Sequence, residues 1–176
     1  MLKIRFLSLI LLFATLTSFS PAKKKITIFT IGDSTMANKD TTRSNPERGW
    51  CQVLPAFFDE NQLVIDNRAK NGRSSKSFRD EGLWQAVLDV VQKGDYVFIQ
   101  FGHNDSKPDV ARKTDPHTTY RENLVRYIGE SREKGANPIL FTSIVRRSFD
   151  ADGKATNTLG EYPAVTREVG KELEVP

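Results

Sequence analysis

The stretch Ile26-Thr27-Ile28-Phe29-Thr30-Ile31-Gly32-Asp33-Ser34-Thr35 decides the fold, because an apolar, β-branched run is followed at once by a glycine and polar residues. Such a run predicts a strand that is covered on both faces. The glycine predicts a tight turn at the carboxyl end of this strand. Ligands of open α/β sheets bind beyond the carboxyl ends of the strands, so Ser34 falls where chemistry is expected.

The rest of the chain repeats this alternation of strands and helices. Further strands are predicted over residues 63–67, 96–101 and 138–142. Apolar residues recur at helical spacing within residues 50–58, 84–91 and 124–128, and a last helix is predicted over residues 162–173. Gly94 and Gly135 follow two of these helices, where left-handed caps are expected. The pattern predicts an α/β fold with a parallel sheet and helices on both faces.

The first 22 residues have the pattern of a secretory leader. Lys3 and Arg5 precede an apolar run over residues 6–16, and small residues follow before Ala22. The run is shorter than the roughly 20 apolar residues that a membrane span needs. We therefore expect a signal peptide over residues 1–22, a mature domain over residues 23–176, and an exported protein that is periplasmic, extracellular or at the cell surface. An uncleaved membrane anchor is the alternative; after cleavage we expect no stable membrane insertion.

Composition and charge narrow the class of protein. The chain has 176 residues, of which 38% are apolar and 27% charged, as in a soluble globular domain. Two of its 26 basic residues fall in the leader, which leaves 24 against 22 acidic residues and a formal charge of +2. Runs of five or six like charges are absent from the sequence, so a nucleic-acid partner is not expected. The single cysteine, Cys51, is expected to be a small buried hydrophobe. We expect a monomer without a cofactor or metal, because no His, Cys or carboxylate cluster has metal-ligand spacing.

Polar groups also follow the second and third predicted strands. Gly72 lies in Asn71-Gly72-Arg73-Ser74-Ser75, and Asn104 lies in Gly102-His103-Asn104-Asp105. A hydroxyl, a glycine N–H and an asparagine amide are therefore expected at one edge of the sheet. An oxyanion hole needs donors of this kind, fixed before charge develops. The Gly-Asp-Ser triplet alone is also common in ordinary turns.

These blocks, in this order, resemble the first three conserved blocks of the SGNH (GDSL) esterase superfamily. The wider context resembles its rhamnogalacturonan acetylesterase branch: residues 30–37, Gly49-Trp50, residues 72–78 and residues 100–105. The resemblance implies a flavodoxin-like three-layer α/β/α sandwich. It also implies that Ser34 is the nucleophile, and that its own N–H, the Gly72 N–H and the Asn104 side chain form the oxyanion hole. The implied function is that of a secreted serine esterase that removes O-acetyl groups from a pectic polysaccharide.

The sequence departs from this superfamily in one block. Members end with an Asp-x-x-His block after a fifth strand, in which the histidine is the general base. Here Gln100 stands three residues before His103, and Thr114 three before His117, so neither histidine has that spacing. A serine needs an adjacent base to attack an ester at neutral pH. We therefore expect a sheet without its fifth strand, and a fragment that is inactive or weakly active.

Further side chains have both a functional and a structural interpretation. Arg73 and Lys76 are candidates to bind a galacturonate carboxylate, as are four other basic residues that we place on loops after the strands: Arg79, Lys107, Arg146 and Arg147. Solvated surface is the alternative for all six. Aromatic side chains at helical spacing are expected in the core, with sugar stacking as the alternative: Trp50, Phe57, Phe58 and Trp84. Asp33 and Asp105 are expected to hold turns.

Three other functions stay open at the level of the sequence. The chain could be a catalytically dead SGNH domain that binds glycans, or another SGNH esterase, such as a lysophospholipase or a peptidoglycan acetylesterase. It could also be a flavodoxin-like nucleotide or flavin binder. Neither Gly-x-Gly-x-x-Gly nor Gly-x-x-x-x-Gly-Lys occurs, which disfavours the nucleotide binder.

Overall fold

A computed structural model describes residues 25–42 and 44–176. The strands are β1 (Ile26–Gly32), β2 (Leu63–Asn67), β3 (Tyr96–Gln100) and β4 (Asn137–Leu140). The helices are α1 (Trp50–Val53), α2 (Ser75–Asp80), α3 (Leu83–Leu88), α4 (Arg121–Glu133) and α5 (Tyr162–Glu172). A 3-10 turn (Leu54–Phe57) follows α1, and a π-helical turn (Pro116–Tyr120) precedes α4. The leader expected over residues 1–22 lies outside the described residues.

The four strands form one parallel sheet in the order β2-β1-β3-β4. In the register, Thr30 pairs with Asn67 and Gly32 pairs with Gln100. The prediction of a parallel α/β sheet is confirmed. Since β1 lies between β2 and β3, the loops that follow these three strands leave the sheet side by side.

Helices cover both faces of the sheet, as the resemblance implies. Successive side chains of a strand point to opposite faces. Val97 and Ile99 of β3 belong to the main core, with residues of α2 to α5. Phe98, between them, packs against a smaller cluster that contains Met36 and Cys51. The result is a three-layer sandwich in which α1 lies on the second face. Within the described ranges, no helix is long and apolar enough to cross a membrane.

The helix expected over residues 50–58 is shorter than predicted. Its α-helical part ends at Val53, because Pro55 lacks an N–H and the chain tightens into a 3-10 turn there. The side chains of Phe57 and Phe58 are 78% and 41% exposed, so their placement in the core was wrong. Trp84 is buried, as predicted.

The two glycine caps have different outcomes. Gly135 follows α4 with φ +73°, a left-handed conformation that fits the predicted cap. Gly94 also has positive φ, but α3 already ends at Leu88. Gly94 instead belongs to the turn before β3, where its N–H donates to the Gly135 carbonyl at 2.9 Å.

Candidate active site

The loops that carry Ser34, Gly72 and Asn104 start from neighbouring points of the sheet. The Gly32 carbonyl accepts a hydrogen bond from the Lys70 N–H at 3.0 Å, which extends the β1–β2 pairing beyond the strands. Gly32 is also paired with Gln100. Ser34 therefore lies two residues after Gly32, and Gly72 lies two residues after Lys70, so both follow positions that are hydrogen-bonded to each other. The structure brings these loops together at the carboxyl edge, as the sequence predicts.

The Ser34 turn is fixed by its neighbour Asp33. The Asp33 carboxylate accepts the N–H and the hydroxyl of Thr35, both at 2.8 Å, and the side chain is almost fully buried. The Asp33 carbonyl accepts the N–H groups of Met36 and Ala37. Asp33 thus holds the turn, which agrees with the prediction. Within the described part of the chain, neither the N–H nor the hydroxyl of Ser34 has a hydrogen-bond partner.

Gly72 occupies a position that strongly favours glycine. Its φ is +79°, and a Cβ added there would meet no atom within 4 Å, so the space in front of it is open. The Arg73 N–H closes the turn by donating to the Lys70 carbonyl at 3.3 Å. None of the described residues accepts a hydrogen bond from the Gly72 N–H. That N–H is therefore available to a ligand.

The Asn104 amide is held in place by its neighbours. The side chain is buried, and its Nδ2 donates to the Arg73 carbonyl at 3.0 Å. The Arg112 guanidinium approaches its Oδ1 at 3.4 Å. An amide nitrogen has two hydrogens, so one remains for a ligand. The bond to Arg73 also links Asn104 to the loop that carries Gly72.

Asp105 also connects the loop that carries Asn104 with the loop that carries Gly72. Its buried carboxylate accepts the Ser75 hydroxyl at 2.5 Å, the Ser75 N–H at 3.1 Å, the Gly102 N–H at 3.0 Å and the Thr114 hydroxyl at 3.1 Å. Burial raises the pKa of Asp105 to about 6, against the lowering effect of these donors. The sequence predicts a local turn holder here. The structure adds a bond across 30 residues to the start of α2.

Gln100 is a polar residue at the site that sequence reasoning missed. It ends β3, and its Oε1 accepts the Trp50 indole N–H at 2.8 Å and lies 3.2 Å from the Thr35 hydroxyl, whose single hydrogen is shared with the nearer Asp33 carboxylate. Its Nε2 donates to the Thr142 carbonyl at 2.9 Å. Gln100 thereby joins the Ser34 turn to the chain beyond β4. The sequence signal that could have identified it is a polar residue within an otherwise apolar strand.

Both histidines hydrogen-bond elsewhere in the fold. The His103 ring bonds to the Ile144 carbonyl at 2.7 Å, and the His117 ring to the Glu161 carboxylate at 3.0 Å. Within the described ranges neither is hydrogen-bonded to Ser34. The bond from His103 to the Ile144 carbonyl ties the loop that carries Asn104 to the chain beyond β4.

The basic side chains near the site have protein partners. Arg73 forms an ion pair with Glu81 at 2.9 Å, and Lys76 donates to the Val110 carbonyl at 2.6 Å. Arg79 was expected on a loop, as was Lys76, but both lie on α2. The Arg79 guanidinium packs over Tyr127 in the helix layer. The binding of a carboxylate by Arg73 and Lys76 stays a prediction.

The arrangement as a whole suits acyl transfer. A half-buried hydroxyl stands at a turn beyond β1. The unpaired N–H groups of Ser34 and Gly72 and the second amide hydrogen of Asn104 lie on neighbouring loops at the same edge of the sheet. Fixed donors of this kind stabilise the oxyanion of a tetrahedral intermediate. The fold is that of the SGNH-type α/β hydrolases.

The chain belongs to the GDSL-like lipase/acylhydrolase family, whose model matches residues 30–176. It is 45% identical to rhamnogalacturonan acetylesterase RhgT of Bacillus subtilis over 88% of this chain and 64% of RhgT. It is 41% identical to the probable rhamnogalacturonan acetylesterase YesY of the same organism, over 84% of this chain and 67% of YesY. The crystal structure of protein YxiM from Bacillus subtilis superposes with a TM-score of 0.76 at 29% identity, over 86% of this chain and 42% of that one. The chain thus spans about two thirds of the length of the two acetylesterase relatives.

Proposed function

We propose that this chain is the nucleophile-bearing part of an exported serine esterase that removes O-acetyl groups from a pectic polysaccharide. The observation that carries the proposal is the placement at one edge of the sheet of an unpaired Ser34 hydroxyl, the free N–H groups of Ser34 and Gly72, and the second amide hydrogen of Asn104. The names of two relatives, both rhamnogalacturonan acetylesterases or probable ones, support the substrate class. The leader pattern at residues 1–22 supports export.

In the proposed reaction, the Ser34 hydroxyl attacks the carbonyl carbon of the acetyl ester and loses its proton to a general base. The carbonyl oxygen becomes negatively charged and receives hydrogen bonds from the N–H groups of Ser34, Gly72 and Asn104. Collapse of this intermediate breaks the bond to the sugar oxygen, which takes up the proton. Water then hydrolyses the acetyl-serine, and acetate leaves.

Neither histidine in the described part of the chain is hydrogen-bonded to Ser34: the Nε2 atom of His103 bonds to the Ile144 carbonyl and that of His117 to the Glu161 carboxylate. We therefore propose that the chain alone hydrolyses esters weakly or not at all, and that an Asp-x-x-His block supplies the base in the complete enzyme. The greater length of the acetylesterase relatives supports this proposal.

The test measures acetate release from acetylated rhamnogalacturonan. It compares the chain with an extended chain, which is this chain continued by the downstream coding sequence in the frame that supplies Asp-x-x-His. We expect acetate release only from the extended chain, and its loss in Ser34→Ala. Undiminished release by the Ser34→Ala variant would remove the serine esterase from consideration.

A catalytically dead glycan-binding domain is the second candidate. It is favoured by one observation, the absence of a described histidine bonded to Ser34. This candidate is supported if both the chain and the extended chain bind the polysaccharide but release no acetate.

A further inference from the structure

A small hairpin follows β4 and lies beside the site. The Thr156 N–H donates to the Ser148 carbonyl and the Asp150 N–H to the Lys154 carbonyl, both at 2.9 Å. These bonds leave Phe149 directly opposite Ala155. The Asp150 carboxylate is occupied by the turn, where it accepts the N–H groups of Asp152 and Lys154. The hairpin is therefore an ordered element with a defined face.

The hairpin is anchored to the loop that carries Asn104. The Arg146 guanidinium donates to the His103 carbonyl at 3.1 Å and to the Thr158 carbonyl at 3.3 Å. The His103 ring in turn bonds to the Ile144 carbonyl. Two of these hydrogen bonds join the base of the hairpin to the loop that carries Asn104, and the bond to the Thr158 carbonyl joins the two ends of the hairpin.

The hairpin presents apolar surface to solvent. Phe149 is 58% exposed and Val145 is 65% exposed. Facing residues in this kind of antiparallel pair have adjacent side chains on one face, so the Phe149 ring stands next to Ala155. Ala155 and Val145 both line a cavity of about 460 Å³ between the hairpin and the first turns of α5. Phe149 is thus the bridge partner of a residue that lines the cavity.

The cavity lining also includes a cation. Arg167 of α5 is one of the lining residues and is exposed. Among residues 25–42 and 44–176, the Arg167 guanidinium has no ion-pair or hydrogen-bond partner. The cavity volume lies within the range of small-molecule sites, roughly 300–1,000 Å³. Exposed apolar side chains and an unpaired guanidinium at one cavity match a ring that has an apolar C–H face and a carboxylate.

We propose that this cavity is a subsite for a uronic acid unit of the polysaccharide, with Phe149 against the sugar ring and Arg167 against its carboxylate. The inference rests on the proposed function, because that function supplies a pectic chain that passes the site. It assigns the recognition of negative charge to α5, which carries Arg167. The basic residues Arg73 and Lys76, which already have partners, are not needed for it.

The experiment measures binding by calorimetry, with the whole chain and a galacturonate trisaccharide. The neutral comparison ligand is the same trisaccharide with its carboxyl groups reduced to alcohols. We expect the acidic ligand to bind roughly tenfold more tightly than the neutral one, a difference of about 1.4 kcal/mol. Arg167→Gln is expected to remove this difference by weakening the acidic ligand only. Phe149→Ala is expected to weaken both ligands about fivefold.

Two matched variants serve as controls. Arg126→Gln removes an exposed arginine that lines a different concavity, and Phe57→Ala removes an exposed phenylalanine that precedes β2 at the opposite edge. Both should bind within about twofold of the parent. The four substituted side chains are exposed, and circular dichroism checks that each variant is folded.

The subsite is refuted if the parent binds neither ligand, if it binds both equally, or if Arg167→Gln and Phe149→Ala bind like the controls. Failure of the proposed function is distinguishable, because acetate release through Ser34 is measured separately. Charge-dependent binding without Ser34-dependent release would leave the subsite and remove the esterase. Ser34-dependent release without charge-dependent binding would support the esterase and refute the subsite.

Discussion

Replacing Asp105 by asparagine tests whether burial or hydrogen bonding has the larger effect on the pKa of this buried carboxyl group near the site. Two effects oppose each other at Asp105. Burial favours the neutral acid, whereas hydrogen bonds from Ser75, Gly102 and Thr114 favour the carboxylate. The structure gives the larger effect to burial, which raises the pKa from an ordinary value of 3.8 to about 6. The substitution removes the ionisation and preserves the size of the side chain.

The sign and size of the effect follow from linkage. Between pH 3.8 and about 6, the folded chain retains a proton on Asp105 that the unfolded chain has lost. The contribution of Asp105 to stability is therefore fully present below pH 3.8 and is lost as the pH rises through about 6. A pKa raised by this amount corresponds to about 3 kcal/mol. Asp105→Asn cannot show this dependence.

The assay is urea unfolding followed by tryptophan fluorescence, at a series of pH values from 3.5 to 7. The quantity compared is the free energy of unfolding of the parent minus that of Asp105→Asn, because other titrating groups cancel in the difference. We expect this difference to fall by about 3 kcal/mol as the pH rises through the interval. A difference that stays flat, or one that grows with pH, would refute the reasoning. Growth with pH would mean that the hydrogen bonds outweigh burial.

Three further substitutions and one thiol reaction test other contacts near the site and in the core. Gly102→Ala places a Cβ 2.2 Å from the Ser143 hydroxyl at φ +136°, and should cost about 3 kcal/mol of unfolding free energy. Gly72→Ala meets open space at φ +79° and should cost only about 1–2 kcal/mol; denaturant unfolding that ranks the two alike would contradict this. Burial raises the pKa of the Cys51 thiol to about 12, so at pH 8 the thiolate fraction, and with it the rate of reaction with a thiol reagent, should be about a thousandfold lower in the folded chain than in the unfolded chain. Gln100→Leu leaves the Trp50 indole N–H without its acceptor and should cost about 1–3 kcal/mol, and an unchanged unfolding midpoint would count against the network.

The fold and the position of the site could be predicted because their signals are local. The β-branched run before Gly32 specifies a buried strand, and three such runs alternate with helices. Parallel strands place their carboxyl ends at one edge, so Ser34, Gly72 and Asn104 could be grouped from sequence positions alone. The strand bounds differ from the predicted ones by at most two residues.

The supporting contacts could not be predicted, because they join residues that are distant in sequence. Gln100 bonds to Trp50 across 50 residues, and Arg146 bonds to His103 across 43. Hydrophobic periodicity carries no information on such pairs. The error at residues 50–58 has a different cause: the periodic pattern continues past Pro55, but the backbone there cannot continue an α-helix.

The most direct test of the central claim measures the loss of kcat/KM for p-nitrophenyl acetate in Asn104→Ala, made in the extended chain. Asn61→Ala, an exposed asparagine before β2, is the matched control. Removal of one oxyanion donor should lower kcat/KM by roughly 10²–10³, with folding and the control variant unaffected. Ser34→Ala should abolish turnover. Turnover by Asn104→Ala within about tenfold of the parent would contradict the assignment of Asn104 to the oxyanion hole, and turnover that survives Ser34→Ala would contradict the site as a whole.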